Sequence, residues 1–364
     1  MLVFENFIKK VQLGSVSFAL FREPHTNELH FFMQDITQGN ALPKNWQNQT
    51  GFYIQGFDKS DKIKWIYADQ YIKISVNDFK LSWDSIADGY KIKEVDLESK
   101  TVYSQVFREA YNNSFNKAQK AIEKGELKKV VISRCDKQDY PLKWGEMIQA
   151  YIEALELYPS AFINLMYTPE EGLWFGVSPE VFLVKTSEGY VIDALAGSLK
   201  KTEDLQPEWG DKEKKEQGLV ELYIESLLDD LGLTYQKSKT ESILAGNLWH
   251  LRSRYVIDEI NEVNALIAAL HPTPAVCGMP KWDSMDFIVE NESYDRGLYA
   301  GFWGPVNLAH QQGFQFYVNL RCVHWDGDYL SFFAGGGIVE DSNLDKEWEE
   351  TQLKMKTIGD VLTL

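Results

Sequence analysis

Two pairs of glutamates are the residues whose spacing most directly suggests chemistry. Glu213 and Glu216 lie three residues apart in one acidic segment, and Glu347 and Glu350 lie three residues apart near the carboxyl end. If both segments are helical, each pair shares one helical face, where two carboxylates can bind a hard divalent cation such as Mg²⁺. Glutamate and lysine also mix freely in both segments, as on any solvated helix, so the spacing alone does not establish a metal site.

A lysine and a glutamate elsewhere in the chain could perform acid–base chemistry. Lys129 begins the apolar run in KKVVISR, and Glu180 follows a Ser-Pro pair in WFGVSPEVF. A lysine partly removed from water can act as a general base, and a carboxylic acid that stays protonated can donate to a leaving group. The simpler interpretations are a lysine at a strand end that extends to solvent and a carboxylate in a turn.

A glycine-rich segment and an arginine are candidates for binding a carboxylate. AGGGIV includes Gly335, Gly336 and Gly337, but it lacks the glycine patterns of nucleotide-binding loops. Glycine lets the backbone approach a ligand closely because it has no side chain in the way. Arg321, in FYVNLRC, has the planar fork that meets a carboxylate with two hydrogen bonds. An ion pair at a strand end would explain this arginine equally well.

The composition narrows the class of protein and its partners. The 364 residues are 44% hydrophobic and carry a formal net charge of −17, which argues against nucleic acid because no basic stripe is present to neutralise phosphates. Three cysteines without paired spacing give neither a disulfide framework nor a zinc site. No apolar run is long enough to span a bilayer, so we expect a cytoplasmic protein that does not bind membranes.

The periodicity of apolar residues predicts the elements that must position these side chains. Strands are expected at 16–21, 29–33, 51–57, 63–67, 129–134, 161–167, 173–175, 181–185, 302–308, 313–323 and 329–334. Helices are expected at 103–124, 144–157, 211–231, 262–270 and 344–362, with Gly125 ending the first of them. Because helices and strands do not alternate regularly, we expect an α+β fold with large, mainly antiparallel sheets packed in layers and helices outside.

Five ordered segments together carry a family resemblance. They are HPTPAVCGMPK, YDRGLYAGFWG, FYVNLRC, FFAGGGIVEDSN and EWEETQLKMK. In this order and spacing they resemble the chorismate-utilising enzymes, a family of isochorismate, anthranilate, aminodeoxychorismate and salicylate synthases. The resemblance covers 103–364 and implies that family's layered α+β fold. We expect a single domain over 1–364, in which residues 1–100 form a variable, β-rich part.

The resemblance implies a magnesium ion held by one glutamate from each of two helices. The matching positions are Glu216 and Glu350, with Glu213 and Glu347 behind them or reaching the metal through water. Many members of the family carry histidine directly after the first glutamate, whereas this chain has Gln217.

The resemblance also implies the acid and the base. Isochorismate and salicylate synthases carry lysine at the position of Lys129, where it activates a water that attacks C2, whereas anthranilate synthases generally carry glutamine. Glu180 matches the acid that protonates the departing C4 hydroxyl. Aminodeoxychorismate synthases place a nucleophilic lysine where this chain has Ala196. Water is therefore the expected nucleophile, and no glutamine amidotransferase subunit is expected.

The remaining expected contacts to substrate also follow from the resemblance. Arg321 and Gly335 match positions at the enolpyruvyl carboxylate, and His250 matches a histidine near the ring and the leaving hydroxyl. Further substrate contacts are expected from Gly197, Ser198, Tyr299 and Lys354.

The expected activity is the Mg²⁺-dependent isomerisation of chorismate to isochorismate by a monomeric protein. Two alternatives stay open at this point. The first is a salicylate synthase, which continues with elimination of pyruvate, and the second is a chorismate-binding protein without activity. Whether the product would serve menaquinone or siderophore synthesis is also open.

Overall fold

Two antiparallel sheets of nine strands each organise the chain in the computed structural model, counted over the residues that it describes. The structure describes residues 10, 15–58, 61–87, 100–139, 144–187, 189–201, 207–308 and 312–362. Sheet one contains, in spatial order, β14 (Gly278–Met279), β6 (Lys129–Asp139), β18 (Tyr329–Ile338), β17 (Cys322–Trp325), β8 (Gly172–Ser178), β7 (Phe162–Thr168), β1 (Val16–Arg22), β2 (Glu28–Asp35) and β5 (Gln70–Ser75). Sheet two contains β11 (Tyr235–Lys237), β13 (Leu248–Ile257), β10 (Gly189–Lys200), β9 (Val181–Thr186), β16 (Gln315–Val318), β15 (Phe302–Val306), β3 (Gly51–Gln55) and β4 (Lys64–Tyr67), with β12 (Glu241–Ala245) paired to β13.

The sheets pack face to face, and aromatic rings fill the space between them. Phe162 of sheet one stacks on Tyr317 of sheet two with ring centroids 4.2 Å apart. Phe21 and Phe52 make a similar contact across the layers at 5.4 Å. Full burial of one such side chain stabilises the fold by roughly 1.5–3 kcal/mol, so this interface accounts for much of the core.

Helices cover the outer surfaces of the sheets, as the expected layers require. Their bounds are α1 (Val76–Ala87), α2 (Lys100–Glu123), α3 (Trp144–Leu157), α4 (Asp211–Asp230), α5 (Val263–Leu270), α6 (Lys281–Asn291) and α7 (Leu344–Gly359). Successive side chains of a strand point to opposite faces of its sheet. On β1, Phe18 and Leu20 therefore point away from sheet two, and they pack in one cluster with Tyr151 of α3. Helix α2 packs on β6, and α4 packs on β10. The expected α+β fold with antiparallel layers is confirmed.

The first hundred residues contribute to both layers. Strands β1, β2 and β5 extend sheet one, whereas β3 and β4 extend sheet two. The predicted end of α2 at Gly125 is also confirmed, because this residue has a φ of +76° and follows the last helical turn. Within the described part of the chain, no helix has the length and apolar character needed to cross a lipid bilayer.

The single strand predicted over 313–323 is wrong, because this segment forms β16 in one sheet and β17 in the other. The break lies where Asn319 donates its backbone N–H to the carbonyl of Gly301 at 2.7 Å. Arg321, two residues later, has a φ of +47°, an uncommon conformation for a residue with a side chain. The chain therefore crosses between the sheets at the residue that was expected to bind a carboxylate.

Several elements were not predicted. They are β5, α1, β10, β11, β12, β13, β14 and α6.

Candidate active site

A cavity between the sheets brings most of the expected site residues together. Its volume is about 60 Å³, enough for a few water molecules. The expected residues that line it are Glu180, Gly197, Ser198, Glu216, His250, Tyr299, Arg321, Gly335 and Lys354. The other expected residues, Lys129, Glu213, Glu347 and Glu350, lie outside its lining.

Lys129 lies directly behind one carboxylate of the cavity. Its side chain is fully buried at the start of β6, and its Nζ lies 3.1 Å from Oε1 of Glu216. The angle of this ion pair does not suit a hydrogen bond, and Nζ has no hydrogen-bond partner among the described residues. A Cβ at Gly337 would overlap Oε1 of Glu216 and would lie 2.9 Å from Cε of Lys129. Only glycine at this position leaves room for the pair.

Glu180 is a buried carboxyl group at the start of β9. Burial, the largest effect, raises the pKa of Glu180 to about 8, and the negative charge of Asp193 adds to the increase. The positive charges of Lys129, Lys354 and Arg321 oppose it. The carboxyl group is therefore protonated at neutral pH and can donate a proton to a group in the cavity.

His250, on β13, uses both ring nitrogens. Nη2 of Arg321 donates to Nε2 of His250 at 3.0 Å, so Nδ1 must hold the hydrogen. Nδ1 donates to the carbonyl of Gly197 at 2.9 Å and lies 3.3 Å from Oγ of Ser198. Burial, and then the charges of Arg321 and Lys354, lower the pKa of His250 to about 3. This neutral ring connects an arginine to a backbone bulge, and neither nitrogen is free for the leaving hydroxyl.

Gly197 and Ser198 form an irregularity in β10. The pairing of β10 with β13 shifts between Ala196 and Ser198, and Gly197 has a φ of +68°. Such a bulge with a left-handed glycine redirects the strand. A Cβ at Gly197 would lie 3.2 Å from the backbone oxygen of Glu213, so the bulge also allows close approach to the start of α4.

Tyr299, Gly335 and Lys354 form another part of the lining. The ring of Tyr299 stacks on Phe333 with centroids 5.2 Å apart. A Cβ at Gly335 would lie 2.9 Å from the hydroxyl of Tyr299, so this position also requires glycine. Nζ of Lys354 donates to the carbonyl of Gly335 at 2.7 Å and lies 2.7 Å from Oε1 of Glu350.

Burial lowers the pKa of Arg321 to about 10, although the charge of Glu350 opposes the change. The guanidinium therefore remains charged at neutral pH. The backbone carbonyl of Arg321 accepts from the N–H of Val177 at 3.1 Å, which fixes the residue to sheet one beside the crossover. A positive charge that is fixed and buried in this way suits recognition of an anionic group.

The remaining acidic residues line a second cavity of about 470 Å³ on the other side of the carboxylates. Ser198 lines both cavities, whereas Glu213, Glu347 and Glu350 line the second one. Oε1 of Glu347 accepts from Oγ of Ser342 at 2.8 Å. Its Oε2 is buried and has no hydrogen-bond partner among the described residues.

The donor set fits a hard divalent cation. The carboxylates of Glu216 and Glu350 lie on facing helices, α4 and α7, and oxygen ligands are those that Mg²⁺ prefers. Each expected ligand is paired with a lysine, and in the described ranges no three acidic, histidine or cysteine side chains stand together as a ligand set. The unpartnered Oε2 of Glu347 leaves a buried acceptor for an ion or its water.

Two residues at the site were not anticipated. Lys212 lies 2.7 Å from Oε1 of Glu347, and Asp193 accepts two hydrogen bonds from Arg254, at 2.8 and 2.9 Å. The position of Lys212 four residues before Glu216 was the available signal, because that spacing places both on one helical face.

Comparisons with known proteins agree with this fold. Residues 53–363 match the model of a family described as chorismate binding enzymes. Isochorismate synthase EntC of Escherichia coli (strain K12) is 32% identical over 204 residues, which cover 53% of this chain and 52% of that protein. Isochorismate synthase MenF of the same organism is 29% identical over 259 residues, which cover 68% of this chain and 58% of that protein. The chain thus spans about half the length of EntC and somewhat more of MenF.

A solved structure shares the fold over nearly the whole chain. It is that of a putative 2,3-dihydroxybenzoate-specific isochorismate synthase, DhbC, from Bacillus anthracis, with a TM-score of 0.74 at 19% identity, covering 96% of this chain and 97% of that one. The layered fold and the acid and cationic residues at the cavity describe an α+β protein with a polar site between its two sheets. Among such proteins, the chain belongs to the chorismate-binding enzyme family.

Proposed function

We propose that the chain isomerises chorismate to isochorismate by adding water at C2 and releasing the C4 hydroxyl. The observation that carries this proposal is the convergence of Glu180, Arg321 and Glu216 on one cavity. These residues supply an acid, a carboxylate-binding cation and an oxygen ligand for a metal. The names of the relatives EntC, MenF and DhbC support the same activity.

Glu180 acts on the leaving group. Hydroxide leaves poorly, so the C4–O bond breaks only as a proton reaches that oxygen. A carboxyl group with a pKa of about 8 is protonated before the reaction and ionised after it. The nearby charges of Lys129, Lys354 and Arg321 then stabilise the carboxylate that forms.

We assign Lys129 to the attacking water because the family resemblance places the base at this position, and its Nζ must reach the cavity past Glu216. Its amine accepts a proton from the water as the new C2–O bond forms, so one proton is taken up and one is given by Glu180. Ala196 lines the cavity on β10 and has no nucleophilic atom, so water is the nucleophile. A glutamine amidotransferase subunit has no role in this reaction.

Substrate carboxylates are bound by cations and by backbone that approaches closely. Arg321 and the backbone at Gly335 face one carboxylate, which we assign as that of the enolpyruvyl group. Glu216 and Glu350 would hold Mg²⁺, which when bound would supply a hard positive charge to the ring carboxylate. Gly197, Ser198 and Lys354 lie where they can orient that group, and Tyr299 lies along the wall.

We also propose that the chain acts as a single domain and as a monomer. Strands from the first hundred residues complete both sheets that surround the cavity, so the site depends on the two parts together. The relatives include one named as menaquinone-specific and one named as vibriobactin-specific, so the fate of the product is left open.

Product analysis tests the proposal. The protein is incubated with chorismate and Mg²⁺, and products are separated by chromatography and identified by mass spectrometry. Isochorismate is the expected product. Accumulation of salicylate and pyruvate would assign the chain to the salicylate synthases, and binding of chorismate without turnover would make it a binding protein.

A further inference from the structure

We propose that Lys212 is a resident counter-cation of the proposed metal-binding carboxylates, and that Mg²⁺ must displace its ammonium group in order to bind. Lys212 would then set the metal concentration at which the site fills. This inference rests on the proposed function, because it concerns the metal site of that reaction.

Lys212 lies between the two helices that carry the acidic groups. It lies in the first turn of α4, and its Nζ is 2.7 Å from Oε1 of Glu347 on α7. Glu216 lies one turn further along α4 on the same face, and Glu350 lies one turn beyond Glu347. The lysine therefore links the two helices whose carboxylates would hold the ion.

The electrostatics support this placement. Burial alone would lower the pKa of Lys212, but the carboxylates of Glu216, Glu350 and Glu347 together raise it above its ordinary value. Three negative charges thus act on one ammonium group. Lys129 pairs with Glu216, and Lys354 pairs with Glu350. Among the residues that the structure describes, Lys212 is therefore the cation that balances the buried carboxylate of Glu347 in the metal-free protein.

A second observation points to a ligand beyond the lysine. The side chain of Glu347 is 2% exposed, and while its Oε1 binds Lys212 and Ser342, its Oε2 is without a hydrogen-bond partner in the described part of the chain. An unsatisfied buried carboxylate oxygen is unfavourable, and a metal-bound water or the ion itself would satisfy it.

The displaced side chain has room to move. Lys212 lines the cavity of about 470 Å³ on the outer side of the carboxylates, together with Glu347 and Glu350. Asp341 and Glu349 line the same cavity and offer new partners for the ammonium group. The cavity is thus both a route for the ion and a place for the lysine.

Calorimetric titration with Mg²⁺ alone, on the full chain without substrate, tests the inference. Lys212→Met removes the competing charge and keeps the length of the side chain. Lys214→Met is the matched control, since Lys214 is exposed on the same helix and its loss changes the net charge equally. We expect Lys212→Met to bind Mg²⁺ at least about tenfold more tightly than both the wild type and Lys214→Met.

Thermal unfolding gives a second readout that needs no turnover. We expect metal-free Lys212→Met to unfold at a lower temperature than Lys214→Met, and added Mg²⁺ to raise its Tm more than that of the wild type. Lys212→Gln is tested in the same way if the methionine variant does not fold.

The outcomes separate this inference from the proposed function. Equal Mg²⁺ affinity in all three proteins, or weaker binding by Lys212→Met, would overturn the role of Lys212 and leave the isomerisation intact. Isomerisation by a wild type that binds no Mg²⁺ would overturn the metal site, and this inference with it.

Discussion

Arg321 donates a hydrogen bond from its guanidinium to Nε2 of His250 across 3.0 Å, and this contact determines what each side chain can do. The arginine lies at the crossover between the sheets with a φ of +47°. The histidine, held by the carbonyl of Gly197 on its other side, is neutral and keeps the arginine in place. In this arrangement His250 positions Arg321, and Arg321 is the group that we propose binds the substrate.

His250→Ala should weaken substrate binding more than it slows the chemical step. Without the ring, the guanidinium of Arg321 loses its partner and its orientation, so we expect KM for chorismate to rise about tenfold or more with a smaller change in kcat. Because the pKa of His250 is about 3, the pH profile above pH 5 should keep its shape. Steady-state kinetics measure both, with Arg321→Lys as the comparison variant. Loss of a limb of the pH profile in His250→Ala would instead make the histidine an acid or base.

Glu180→Gln should raise stability while it removes activity. Burial raises the pKa of Glu180 from its ordinary 4.5 to about 8, so the folded state keeps a proton that the unfolded state releases between these values. The contribution of Glu180 to stability is therefore fully present below pH 4.5 and declines as the pH rises to about 8. We compare the free energy of unfolding of Glu180→Gln with that of the wild type at each pH. We expect this difference to favour the variant by about 1–3 kcal/mol more at pH 8 than at pH 5. Denaturant unfolding at both values measures this, and an equal effect at both would contradict the raised pKa.

Activity should fall as the pH rises through about 8. Only protonated Glu180 can donate to the leaving hydroxyl, and its pKa is about 8 because the group is buried near Asp193. Glu180→Gln should lower kcat by about 10²–10⁴ and abolish the alkaline limb of the remaining activity. If the activity of Glu180→Gln still fell above pH 8, the alkaline limb would belong to another titrating group.

Gly337→Ala should damage the site with little effect on the rest of the fold. The added methyl would overlap Oε1 of Glu216 and lie 2.9 Å from Cε of Lys129, so both side chains must shift. A displacement of about 1 Å in a catalytic group can lower the rate by about 10², and we expect a loss of that size. Gly359→Ala is the control, because its added methyl meets nothing within 4 Å. Equal kcat and KM in Gly337→Ala and Gly359→Ala would show that Glu216 and Lys129 can shift without loss of activity.

Much of the fold follows from patterns that are local in the sequence. The short apolar and aromatic segments 16–21 and 29–33 predict β1 and β2, and the helical periodicity before Gly125 predicts α2. The apolar pattern does not predict strand β10, because Gly197 interrupts the pattern and charged residues end it. Both halves of 313–323 are apolar and therefore predict one strand, whereas the break at Asn319 depends on pairing with Gly301, which is distant in sequence.

The site likewise has residues that the sequence predicts and contacts that it does not. The family resemblance predicts that Glu180, His250 and Arg321 belong to one site, and all three line one cavity. The pairing of Lys212 with Glu347, and the use of both nitrogens of His250, depend on how α4, α7 and β13 approach one another. Residue types alone do not specify such three-dimensional contacts.

The origin of the new hydroxyl tests the central proposal most directly. If Lys129 activates a water and Glu180 protonates the departing hydroxyl, one oxygen enters from solvent and another leaves. The wild-type reaction is run in water labelled with ¹⁸O, and the isochorismate is analysed by mass spectrometry. We expect one ¹⁸O atom at C2. Isochorismate that carries no solvent oxygen would contradict both roles, because it would require the original hydroxyl to migrate within the molecule.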